Sequence, residues 1–91
     1  MPMLLVTYDL KSKTNNYEPL VSAIKGTGAW WHYLKNTWLI HTNQSVQQVA
    51  NNLNQYLDQG SADYLLVVEI KKNHQGWLPK DAWDWLNSKI Y

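Results

Sequence analysis

"AWWHYLKNTWLIHT", residues 29–42, is the stretch whose reading decides the fold. Two runs of aromatic and β-branched residues flank Lys35 and Asn36, which is the pattern of a β-hairpin. Lys-Asn is not one of the pairs that dictates a turn type, so the turn itself stays open. Helical patterns lie on both sides of this hairpin. Upstream, Tyr17, Leu20, Val21 and Ile24 fall at i, i+3, i+4 and i+7. Asn16 is placed to cap that helix, Pro19 falls within its first turn, and Gly26 or Gly28 can supply the left-handed residue that closes it. Downstream, "SVQQVANNLNQYLDQG" (45–60) opens with a capping box, Ser45 with Gln48 three residues on. It carries Val46, Val49, Leu53, Tyr56 and Leu57 along one face, and Gly60 is its stop.

Beyond the helical stretches lie two more strands. "LLVTYDL" (4–10) is β-rich and runs into the polar stretch "KSKTNN". "DYLLVVEI" (63–70) is apolar on both parities, as a central strand covered on both faces should be. The last stretch, "WLPKDAWDWLNSKIY" (77–91), reads as a short helix with Pro79 near its first turn and Ala82, Trp83, Leu86 and Ile90 in phase. The order strand, helix, strand, strand, helix, strand predicts an α+β fold. Two strand–helix–strand units close into a four-stranded antiparallel sheet with both helices on one face, the ferredoxin-like βαββαβ arrangement. The whole chain, 1–91, reads as one such domain, with a helical tail from about residue 77.

Composition bounds what the chain can do. Hydrophobic residues make up 45% and include six Trp and six Tyr, enough large side chains to fill the core of a 91-residue chain. The absence of Cys excludes a disulfide framework, a thiolate metal site and a Cys nucleophile. All eight basic residues are Lys, and the net charge is only +1, so no whole-molecule field draws in polyanions. Without a basic leader or a long apolar run, the chain reads as cytoplasmic and outside the membrane.

The hairpin raises a question about the second face of the sheet. With a two-residue turn, Trp31, Tyr33, Trp38 and Ile40 share one face while Trp30, His32, Leu34, Leu39 and His41 share the other. A shift of one residue exchanges the partners. In either register both faces carry large apolar groups, which calls for a cover on the side the helices leave bare. The candidates are a second copy in a two-fold homodimer, with Trp30, Trp31, Tyr33, Trp38, Trp83 and Trp85 as interface residues, and the chain's own Trp-rich tail.

The motifs "YDL", "WWHYL", "TWL" and "GWLPKDAWDWL" resemble a group of small bacterial proteins labelled SinR family, a resemblance that spans essentially the whole chain and brings no established activity. More distantly, the element order and Tyr8-Asp9 at the tip of the first strand resemble the ferredoxin-like small subunit of the CRISPR spacer-acquisition complex and VapD-like proteins. That second resemblance implies a homodimer in which Asp9 faces its symmetry mate. The pair would hold Mg²⁺ or Mn²⁺ for cleavage of nucleic acid, or the subunit would serve as a scaffold. Only Asp9 matches the family's acid. Where the family has Arg after the acid, this chain offers Lys11 and Lys13, which bind phosphate as point charges without a bidentate fork.

Each candidate residue also has a structural reading. Asp9 just past a strand is placed to accept backbone N–H groups of the following loop in an Asx-turn. Lys11 and Lys13 with Lys71 and Lys72 make a candidate nucleic-acid patch, or charge that blunts the sheet's edges. His32 and His41 lie across the hairpin from each other but have no neighbouring acid to complete a zinc set, so hydrogen-bonded strand positions are expected. His74 falls in a polar loop and reads as exposed. Base stacking on the tryptophans is a third use, for which the charge is thin. Beside the nuclease or scaffold reading stands a non-catalytic protein-interaction module using the sheet face or the Trp-rich tail.

Overall fold

The computed structural model describes residues 1–11, 18–57, 60 and 62–91. Its elements are β1 (Met3–Asp9), α1 (Glu18–Lys25), β2 (Ala29–Leu34), β3 (Thr37–His41), α2 (Val46–Asn54), β4 (Tyr64–Ile70) and α3 (Lys80–Ser88). The four strands form one sheet in the order β2-β3-β1-β4 with every neighbouring pair antiparallel, which is the ferredoxin-like arrangement. The expected roles of Lys13, Asn16 and Tyr17 lie outside the described residues.

Alternation along the strands sorts side chains between two cores. Leu4 and Val6 of β1, Trp38 and Ile40 of β3 and Val67 of β4 point to one side, where Leu20 and Ile24 of α1 and Val49 and Leu53 of α2 close over them. Met3, Trp31 and Leu39 point to the other side and are covered by Ala82 and Leu86 of α3. The tail is therefore the cover for part of the second face. Trp31 Nε1 donates to the Ala82 carbonyl at 3.3 Å, so the buried indole is satisfied by the helix that buries it.

The hairpin turn is indeed two residues long, since Leu34 pairs with Thr37. The grouping expected from that turn fails, because a bulge between Trp31 and Leu34 shifts the register so that Trp30 opposes Ile40 and Trp31 opposes Leu39. Trp30 accordingly packs on Trp38 at a centroid distance of 5.5 Å and His32 stacks on the same indole at 3.6 Å. Trp31 lies on the opposite side against Tyr33, at 5.1 Å.

Helix ends follow local chemistry. α2 starts on the expected capping box: Gln48 N–H donates to Ser45 Oγ at 3.1 Å, and Ser45 N–H donates to Gln48 Oε1 at 2.9 Å. It stops at Asn54, well short of Gly60, as Tyr56 and Leu57 N–H tighten onto Leu53 and Asn54 carbonyls in three-residue turns. After α1, neither Gly26 nor Gly28 takes the left-handed conformation expected of a closing glycine. Gly28 serves close approach instead, because a Cβ there would collide with the His41 carbonyl oxygen and meet Thr42 Cβ at 3.0 Å. α3 ends at Ser88, which leaves Ile90 85% exposed and not in its apolar stripe. No helix among the described residues is long and apolar enough to cross a membrane.

Candidate interaction surface

β4 departs most from the expectation. Its sequence is that of a strand covered on both faces, yet it lies at the edge of the sheet. Pairing of Asp9 with Tyr64, Thr7 with Leu66 and Leu5 with Val68 fixes which residues point to the second side. Tyr64 is 65% exposed, Leu66 56% and Val68 36%. α3 reaches only the end of this side nearest Met3 and Ile70, so the other end is open. Leu34 and Tyr33 of β2 are exposed as well, and Trp77, in the segment leading to α3, is 99% exposed. Where Thr7, Asp9, Tyr64 and Leu66 meet, the surface dips into an open depression of about 250 Å³. A second groove, about 230 Å³, follows the seam between the sheet and α3 past Leu5, Leu34, Leu78 and Trp83, with His74 at its margin.

Asp9 stands on the rim of this open end. Its carboxylate faces Lys11 Nζ at 3.6 Å, with both side chains more than half exposed. The loop-organising role expected of Asp9 falls on a loop whose residues 12–17 lie outside the described ones; at the start of that loop Asp63 supplies an anchor. That buried carboxylate accepts the Lys11 backbone N–H at 2.7 Å through Oδ1. Sequence reading passed over Asp63 because its partner is 52 residues away and only the β1–β4 pairing brings them together. Among the described residues, the donor set around Asp9 does not suit a divalent cation within one chain: it is one carboxylate beside an ammonium, with no second carboxylate lining the depressions it borders. Among the described residues, no group of three or more His, Asp or Glu side chains converges as metal ligands.

The remaining predicted site residues are dispersed. Lys11 lies two residues beyond β1, whereas Lys71 and Lys72 follow β4 at the opposite end of the sheet, because the two strands are antiparallel. They form no common basic patch. Lys72 Nζ instead donates to the Asn87 and Lys89 carbonyls at 3.3 and 2.9 Å, capping the end of α3. Of the six aromatic residues expected at an interface, Trp31 and Trp38 are buried within the chain's own cores. Trp83 and Trp85 pack against the second core, leaving Trp30 and Tyr33 as the exposed members.

The histidines are structural. His32 and His41 point to opposite sides and do not meet; their Nε2 atoms lie 3.0 Å from the Lys35 and Ile90 carbonyls, which makes each Nε2 the donor. His74 is half-buried, correcting its exposed reading, with Nε2 2.9 Å from the Tyr91 hydroxyl. Burial raises Tyr91 above its ordinary value of 10.0. Comparison with known proteins finds no matching family model, no matching curated protein and no matching solved structure.

Proposed function

We propose that the chain is a non-catalytic protein-interaction module that works as a homodimer through the side of the sheet that α3 leaves bare. The observation that carries this reading is β4: a strand apolar on both parities, set at an edge, with Tyr64, Leu66 and Val68 facing water. Strands of that composition are found where both faces are covered, and contiguous exposed apolar groups mark contact surfaces. The sparse net charge of +1 favours a protein partner over a nucleic acid, whose binding rests on neutralising phosphates.

The test is molar mass in solution together with a cleavage assay. Wild type is expected at twice the 10.7 kDa chain mass, in a concentration-dependent equilibrium. It is expected to leave single- and double-stranded nucleic acid intact in Mg²⁺ and Mn²⁺. Cleavage that depends on the added metal and disappears in Asp9→Ala would replace the module reading with the nuclease one.

A further inference from the structure

The chain has two sheet edges, and they are built differently. β2 carries a bulge between Trp31 and Leu34, a device that bends an edge away from further pairing. β4 runs in unbroken register with β1 from Tyr64 to Ile70, with no proline, no glycine and Glu69 as its one charge. Such an edge presents N–H and C=O groups ready to accept another strand.

We infer that the partner at this edge is β4 of a second copy, added antiparallel about a two-fold axis through Val67, so that two four-stranded sheets become one of eight strands. This rests on the homodimeric reading above and specifies its geometry.

Three observations choose this arrangement. A two-fold perpendicular to the sheet keeps each side of one copy level with the same side of the other, so residues of equal parity must oppose each other. The register that leaves no residue of Tyr64–Ile70 unpaired is the one centred on Val67, the strand's middle residue. It sets Leu66 against Val68 of the partner subunit on the bare side, joining two exposed apolar patches into one. The same register sets Tyr64 against Ile70 of the partner subunit, so the seam on the bare side is apolar from end to end.

Stacking the bare sides face to face is the competing arrangement, and α3 opposes it. A helix about 10 Å across stands proud of the sheet. Its outer surface carries Lys80, Asp81, Asp84 and Asn87, all exposed, which a stacked copy would have to bury. Edge pairing leaves those groups in water. It also keeps the two Asp9 carboxylates apart. Asp9 is level with Tyr64, and the two Tyr64 residues are separated by six residues of strand, about 20 Å. No metal ion can bridge them.

Disulfide trapping tests the register, and the chain's lack of cysteine makes it clean. Leu66→Cys and Val68→Cys are made on separate full-length chains, mixed, and oxidised. Directly opposed residues lie about 4.5–5.5 Å apart at Cα, within disulfide range. The diagonal Leu66–Leu66 spacing of about 7–8 Å lies outside it. The mixed 66–68 species is therefore expected to exceed either like-with-like species severalfold, and Tyr64→Cys mixed with Val68→Cys is expected to link poorly. All three positions are exposed, so folding is preserved. Dimers by light scattering without preferential 66–68 linkage would overturn the edge register and leave the homodimer standing. Monomers at every concentration would overturn both.

Discussion

Asp63 and Asp9 sit at one end of the sheet and do different work. Asp63 is buried and accepts the Lys11 N–H, so Asp63→Ala orphans that donor and removes a charge-assisted bond. A loss of about 1–3 kcal/mol is expected in urea denaturation. Asp9→Ala removes an exposed ion pair and is expected to change stability by less than about 1 kcal/mol in the same assay. The order of these two effects separates a buried acid that anchors the Lys11 backbone from an exposed one that pairs with the Lys11 ammonium. Next to Asp63, Ala62 is held at φ 61°, a conformation that a β-carbon disfavours. Ala62→Gly is accordingly expected to raise the thermal midpoint slightly, by up to about 1 kcal/mol of stability, once the greater freedom of glycine in the unfolded chain is subtracted.

At the scale of elements, α2 and the tail are held by different means. The Ser45 capping box opens α2, and Ser45→Ala is expected to cost about 1 kcal/mol by chemical denaturation. The tail is tied by His41 to Ile90, by Lys72 to the last carbonyls of α3, and by His74 to Tyr91. Because burial raises the Tyr91 hydroxyl, the folded chain holds that proton more tightly than the unfolded one. Its contribution is complete below pH 10 and is lost as pH rises through the raised value. Denaturation midpoints taken near neutrality and above pH 10 are expected to converge in Tyr91→Phe, relative to wild type. The elements themselves were legible because each carries its own local signal: the Ser45–Gln48 box, the strand runs, the phase of Leu20 and Ile24. The bulge after Trp31 was not, since it arises from how β2 fits β3 and inverts which tryptophan faces α1 and α2. Nor was the position of β4, because apolar residues on both parities report that both faces want cover, not what supplies it.

For the molecule as a whole, the sheet is finished on one side and half-finished on the other. α1 and α2 close the first side, and α3 closes the second only near Met3, Trp31 and Leu39. The interface residues expected from the sequence are Tyr33 and five tryptophans of the hairpin and the tail. Trp31 and Trp38 are core while Trp30 and Tyr33 are exposed, and further exposed apolar groups are Tyr64, Leu66 and Val68, in a strand whose sequence is that of one covered on both faces. A seven-residue strand pairing with limited side-chain burial belongs to the smaller class of interfaces, below about 1,200 Å², so the dimer is expected to be reversible. The measurement that tests this most directly is light scattering across a concentration series for wild type and Leu66→Lys. Leu66 is exposed in the single chain, so the lysine leaves the fold intact while placing an ammonium opposite the partner's Val68. The account predicts a wild-type mass rising toward twice 10.7 kDa and a variant that stays at 10.7 kDa. A wild type that stays monomeric, or a variant that dimerises equally well, would contradict it.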